Sequence, residues 1–410
     1  MNEPNPGAAM ADSAAAHVTP QIKGRKLKIT LYVVVVFLYW IGLYLYAPTL
    51  PSYVEMKTEN LAMVGIILSM YGLWQALIRL PLGIVSDWMG RRKPFVVGGF
   101  GLVALGAWLM GISDGARGLL IGRAITGLSA GTWVPLIVLF SGLFPPKESV
   151  RASSLLTLVG SVGRLLATGV TGSLNAWGGY SLAFFLAAGA AALAALVMIP
   201  TREKELEHKR PSFKNIGGLF ARRDIMLPTL ISTLCQYANW TATFSFIPLL
   251  AKSLGATGYT LSALLSMNIA VFTLGNLVAT TLVNRVGARR LVFAGVTLLA
   301  CGIIVAALAP NLTIIFIAQF LIGLAQGANY PVLMGMSIRH VENAERSTAM
   351  GIHQSVYAIG MFAGPAASGV IADAIGIRPM LGITALGFLA AGLFAANLLG
   401  SSKRNKRRKS

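Results

Sequence analysis

Twelve apolar stretches, each long enough to cross a bilayer as a helix, constrain this chain more than any other feature. They run over residues 29–50, 60–84, 94–112, 116–143, 152–175 and 180–199, then 225–251, 259–283, 290–308, 312–337, 348–374 and 378–400. Only 12% of the residues are charged, where a soluble domain carries about 25%. Inside hydrocarbon each segment must satisfy its own backbone hydrogen bonds, which strand segments of this kind cannot do singly. The expected fold class is therefore an all-α membrane protein of twelve transmembrane helices.

The stretches fall into two sixes separated by "TREKELEHKRPSFKNIGGLFARRD", the one long polar interruption. The expected organisation is an N-terminal tail (1–28), a six-helix bundle (29–199), a connector (200–224), a second six-helix bundle (225–400) and a basic tail (401–410). Of the 34 Lys and Arg, 27 lie on the side shared by the tails and the connector, and only Lys57, Arg117, Lys252 and Arg378 lie opposite. The positive-inside rule then puts both termini and the connector in the cytoplasm of a multi-pass plasma (inner) membrane protein. The +20 balance is thus a topology signal, with the lipid bilayer as partner. Nucleic acid is not expected, because no aromatic residues interleave the basic tail. Residues 1–21 lack an apolar core of the signal-peptide type. Cys235 and Cys301 fall inside spans without metal-ligand spacing, and both are read as small apolar packers.

The halves repeat each other. A shift of 200 lays "WIGLYLYAP" (40–48) on "WTATFSFIP" (240–248), matching Trp40 with Trp240 and Pro48 with Pro248. A shift of 197 brings Ser69 and Met70 onto Ser266 and Met267, and Gly90 onto Gly287; a shift of 196 lays "GLSAGTWVP" on "GLAQGANYP". The common order points to a duplicated six-span unit, so the two bundles are expected to be pseudo-symmetric.

Between the second and third spans stands Gly83-x-x-x-Asp87-x-x-Gly90-Arg91-Arg92-Lys93. Gly90 suits a reversal, and the basic cluster suits the cytoplasmic side. A carboxylate at the lipid boundary needs a partner, for which Arg91 and a neighbouring helix N-terminus qualify. This stretch closely resembles the signature loop of the major facilitator superfamily, and "NRVGARR" (284–290) resembles its second-half copy. Arg123-x-x-x-Gly127-x-x-x-Gly131 is similar to the fourth-span motif of that family's twelve-span drug:proton antiporter branch. The fifth span, "GSVGRLLATGVTG", lacks that branch's Gly-Pro motif, and a similar Gly360-x-x-x-Gly364-Pro365 lies in the eleventh. The resemblance implies a loop that latches the two halves in one state and releases them in the other, a role it carries to Gly83, Asp87, Gly90 and Arg91.

All 14 Asp and Glu fall in loops, tails or span ends, whereas Arg79, Arg123 and Arg164 lie within spans. Their repeat partners are Asn276, Gln319 and Met361. An intramembrane arginine faces a wet cavity or a partner. Arg79, about two turns from Asp87, suits either a gating role or structural pairing with the loop. Arg123 belongs to the motif, and Arg164 is expected to line a cavity. Tyr39, Trp40, Tyr44, Gln236, Asn239, Trp240, Gln326 and Tyr330 near span centres suit an organic solute or, equally, helix-to-helix packing. His353 is the histidine nearest the membrane, a candidate for proton coupling or a solvated residue at the cytoplasmic edge. No metal cluster, phosphate loop or nucleophile motif appears, so neither an enzyme nor a cofactor is expected. The expected function is secondary active transport of a small organic solute by alternating access, as proton-coupled efflux. An organic or phosphorylated anion carrier is the alternative, and a non-transporting membrane sensor is a further one.

Overall fold

The computed structural model describes residues 21–58, 60–145, 148–201, 203, 213–342 and 345–406, apart from the side chains of 21–24, 87, 149–151, 213–215, 347 and 400–406. Residues 1–20 of the first tail, 202 and 204–212 of the connector, 407–410 of the second tail, and the Asp87 side chain lie outside the described residues. Every described element is helical.

The first half comprises α1 (Gln21–Tyr44), α2 (Leu50–Thr58), α3 (Leu61–Trp88), α4 (Lys93–Gly111), α5 (Ala116–Ser129), α6 (Trp133–Ser141) and α7 (Ser149–Met198). After the short α8 (Phe213–Ala221) come α9 (Arg223–Thr241), α10 (Ile247–Ser253), α11 (Gly258–Val286), α12 (Ala288–Ala307), α13 (Leu312–Ile338), α14 (Arg346–Ile375) and α15 (Ile377–Lys406). Among the described residues, 10 helices are long and apolar enough to cross a membrane. One of them, α7, holds two of the sequence-expected spans, and its backbone leaves helical geometry at Gly178 and Gly179. Large apolar side chains such as Leu77, Trp108, Leu277 and Phe394 are exposed along the outside, as a lipid-facing surface requires.

Three expected spans are not plain helices, the fourth passing through a 3₁₀ turn, Ala130–Thr132, between α5 and α6. The first breaks over residues 45–49, and the seventh passes through a π-helical segment, Ala242–Phe246, before α10. Pro48 and Pro248, partners in the repeat, explain both breaks. Proline lacks an N–H and its ring collides with the carbonyl four residues back, so the hydrogen-bond ladder must widen or stop just before it.

Helix crossings follow the same repeat. Gly65 and Gly72 of α3 meet Met361, Pro365 and Gly369 of α14, backbone against backbone. On the other side α7 meets α11, where the Gly172 N–H donates to Ser262 Oγ at 2.6 Å and Thr168 Oγ1 lies 2.8 Å from Ser266 Oγ. Gly65 and Ser262 are repeat partners at a shift of 197, as are Gly172 and Gly369. One pair of repeat positions thus builds both crossings, related by an approximate two-fold axis.

The two turn glycines of the repeated loop also agree, with φ of 64° at Gly90 and 88° at Gly287. That left-handed backbone carries a steric penalty for any residue with a Cβ. Beside Gly90, the Glu203 carboxylate accepts from the amides of Arg92 and Lys93 at 2.8 and 3.0 Å, capping the start of α4. Lys93 Nζ donates to the carbonyls of Ile199 and Thr201, both at 2.5 Å. The loop's basic end is therefore held by the start of the connector, a partner the sequence reading did not include.

Candidate functional site

Among the described residues, polar contacts between the halves gather toward the face that carries Glu55. Lys252 Nζ reaches Glu55 Oε2 at 3.4 Å, and the Leu61 amide donates to Asp373 Oδ1 at 3.0 Å, beside the α7–α11 contacts already described. Deeper, Arg79 Nη1 donates to the Tyr357 hydroxyl at 2.7 Å and joins α3 to α14. Arg79 is buried, and its described partner lies in the opposite half rather than in its own loop.

At the centre an aromatic chain crosses from half to half. Trp40 packs on Tyr44 (ring centroids 5.5 Å apart), Tyr44 on Phe244 (6.5 Å), Phe244 on Trp240 (4.6 Å) and Trp240 on Tyr71 (5.4 Å). A guanidinium stands at each end: Arg164 lies 4.8 Å from the Trp40 ring and 5.8 Å from Tyr44, and Arg123 lies 4.3 Å from Tyr71. Cation–π contacts of this kind are worth about 0.5–2 kcal/mol, most where water is excluded. Trp40, Tyr44, Arg164, Asn239, Phe244 and Tyr330 all keep part of their surface open. Tyr330 in turn packs on Tyr357 at 6.2 Å.

Several sequence-expected cavity residues are buried in packing contacts. Tyr39 is fully buried between Trp40, Phe100 and Trp133. Gln326 is buried, its side-chain amide donating to the Cys235 carbonyl at 2.9 Å, and so ties α13 to α9. Gln236 and Trp240 are also buried, Trp240 within the aromatic chain. Arg123 is buried beneath Tyr71, with Nε unpaired among the described residues. Its repeat partner Gln319 accepts from Asn268, the repeat partner of Tyr71, at 2.8 Å. The same locus therefore holds a cation on a ring in one half and a neutral amide pair in the other.

His353 does not sit in solvent at the helix edge. It is fully buried, with Nδ1 2.9 Å from Thr229 Oγ1, its ring 5.6 Å from Tyr357, and Nε2 without a partner among the described residues. The cluster of Leu219, Ile225, Val341, Ala349 and Ile352 closes over that end of α14 and keeps water away. Cys235 is buried as expected, but Cys301 is exposed on α12 and faces outward rather than packing.

Phe244, Tyr71 and Tyr357 escaped the sequence reading. Phe244 was available from it, since the shift of 200 places it on Tyr44. Tyr71 and Tyr357 gave no signal beyond being aromatic residues on long helices.

The family model of the Major Facilitator Superfamily matches residues 32–235 and 229–410. The chain belongs to the Major Facilitator Superfamily. It is a multi-pass membrane transporter, not an enzyme, and the all-α membrane fold is that of the superfamily. Inner membrane transport protein YajR of Escherichia coli (strain K12) is 32% identical over 117 residues, a match spanning 28% of this chain and 25% of that protein. Multidrug resistance protein MdtG of Rahnella sp. (strain Y9602) is 24% identical over 374 residues, covering 85% of this chain and 90% of that one. Among solved structures, a bacterial homologue of the human lysosomal transporter Spinster, in an inward-facing and unoccupied conformation, superposes with a TM-score of 0.78. It is 17% identical and covers 93% of this chain and 97% of that one.

Proposed function

We propose that this superfamily member is a twelve-span secondary active transporter that exports a small organic solute across the inner membrane by alternating access, with both termini in the cytoplasm. The observation that carries the reading is the grouping of half-to-half polar contacts at the Glu55 face, above a partly open aromatic and cationic centre. With the basic side inside, that face is the outer one, and bundles held there by polar contacts open toward the cytoplasm by parting the apolar contact of Leu80 with the Gly351–Ile352 end of α14. The twelve-span count takes α7 as two spans turned at Gly178 and Gly179, and α9 with α10 as the seventh. Efflux rests on the likeness to MdtG, a multidrug resistance protein.

Locking the outer crossing tests the mechanism. In a Cys301→Ser background, the Thr168→Cys/Ser266→Cys pair joins positions whose hydroxyls stand 2.8 Å apart. Oxidation is expected to stop solute exchange in proteoliposomes, and reduction to restore it. Full exchange by the cross-linked protein would show that α7 and α11 need not separate.

Proton coupling is assigned to His353. Its ring faces Thr229, Tyr357 and, through Tyr357, the Arg79 guanidinium. His353→Gln is expected to abolish acid-gradient-driven accumulation in inverted vesicles while leaving solute exchange running. Undiminished accumulation by this variant would remove His353 from the coupling.

A further inference from the structure

Arg164 uses only part of its hydrogen-bonding capacity within the protein. Nε donates to the Gly160 carbonyl at 3.3 Å and Nη2 to Ser161 Oγ at 3.0 Å. A guanidinium carries five N–H donors in one plane, so most of the fork remains uncommitted on a side chain that is partly open. Among the described residues no carboxylate pairs with it. The described acidic residues, such as Glu55, Glu203, Asp224 and Asp373, stand at helix ends, far along the chain from mid-span positions. Arg79, Arg123 and Arg164 all lie within spans, away from these helix-end carboxylates. Cations gathered in a water-poor interior without a counter-charge repel one another and lose hydration, so an anion that enters is stabilised twice over.

The repeat sharpens the point. Trp40 and Tyr44 correspond to Trp240 and Phe244, and both aromatic pairs are present and in contact across the centre. The guanidinium is not duplicated: Met361 takes the repeat position of Arg164 and is buried in the cluster that includes Trp240. The Arg164 end of the duplicated aromatic shelf is thus partly open, whereas at the Trp240 end Met361 is buried and the Arg123 guanidinium lies buried against Tyr71. The residues are those of an amphipathic binding surface with a fixed direction.

We propose that the central site takes an amphipathic organic anion. Its oxyanion, carboxylate or phosphate, sits on the Arg164 fork, and its aromatic or apolar body lies across Trp40, Tyr44 and Phe244 toward Met361. This names the substrate class of the transport site and rests on that reading. Arg164 is the specificity residue, since Arg offers a planar two-pronged contact that lysine does not reproduce.

Four naphthalene probes of common body test it on the purified full-length protein by equilibrium dialysis: 2-naphthoate, 2-naphthyl phosphate, 2-naphthalenemethanol and 2-naphthylmethylammonium. At least one anion is expected to bind about tenfold or more tightly than the alcohol, as a charge-assisted hydrogen bond supplies. The cation is expected to bind more weakly than the alcohol. The carboxylate and phosphate arms separate the two oxyanion classes. Arg164→Met should erase the anion preference, read as the ratio of anion to alcohol affinity within the variant, and Arg164→Lys should retain part of it. Charge-blind or cation-preferring binding, binding of none of the four, or a preference that survives Arg164→Met would overturn the proposal. Counterflow of the same probes in proteoliposomes is read separately. An Arg164-dependent anion preference without counterflow leaves the anion site standing and removes the transport reading, whereas counterflow of the alcohol without any preference does the reverse.

Discussion

Gly72→Leu is expected to deprive the protein of its folded monomer in detergent. A Cβ at Gly72 would stand 2.5 Å from the backbone carbon of Met361 and from the backbone nitrogen of Phe362, and 2.8 Å from Met361 Cβ. Two of the three obstacles are main chain of a continuous helix and cannot rotate aside. Overpacking a core that can adjust costs about 1–3 kcal/mol, and a leucine against a rigid backbone belongs at or above the top of that range. Small residues let α3 and α14 approach this closely, and close approach is what packs helices in a membrane, where lipid is as apolar as leucine. Gly83→Leu on the same helix is the control, since a Cβ there meets nothing within 4 Å. Size-exclusion profiles and thermal melts of the two variants decide the matter. A Gly72→Leu melt as high as that of Gly83→Leu would mean that the two helices pass further apart than described.

The same crossing shows how far the sequence could be read. Span positions were legible because apolar length is a local property: the third span, expected over 94–112, is α4 at Lys93–Gly111, and the tenth, expected over 312–337, is α13 at Leu312–Ile338. The breaks at 45–49 and Ala242–Phe246 were legible in principle, since the first contains Pro48 and the second ends just before Pro248. The rotation of each helix about its own axis was not legible. Tyr39 and Tyr44 both lie on one apolar helix, Tyr44 as its last residue, yet Tyr39 is buried against Phe100 and Trp133 while Tyr44 keeps an open edge. In lipid the outer face of a helix is as apolar as its packed face, so periodicity loses the contrast that orients a helix in a soluble protein.

Charge was the better guide. The three intramembrane arginines stood out because nothing else ionic shares their depth, and all three meet aromatic rings. Their partners were not legible, because an aromatic residue in a membrane helix is common and carries no mark of the cation it will meet. His353 was misplaced for a related reason. Its position near a helix start suggested solvent, but the cluster around Leu219 and Ile225, supplied by the connector helix and the start of α9, covers it. Burial of that kind depends on a segment more than a hundred residues away in sequence.

Tyr357→Phe is expected to destabilise the protein by about 1.5–3 kcal/mol, the range for a lost hydrogen bond to a charged group. Arg79 carries its charge in a buried setting, with Nη1 on the Tyr357 hydroxyl at 2.7 Å and Nε unpaired among the described residues. Removing the hydroxyl leaves a guanidinium that has lost hydration and gained no acceptor in return. Removing the guanidinium as well leaves only apolar surfaces, so Arg79→Met in the Tyr357→Phe background should recover much of the lost stability, as paired removal of a buried polar contact does. Transport should stay slow in the double variant, because the contact joins α3 to α14 across the halves and biases which state is populated. Stability and rate are thereby expected to part company, with melting restored and turnover not. If the double variant melts lower than either single one, the coupling has the opposite sign and Arg79 is satisfied by groups other than Tyr357. If instead it melts and turns over like the wild type, the bond between the halves is dispensable, and the state the protein prefers is set by the helix crossings alone.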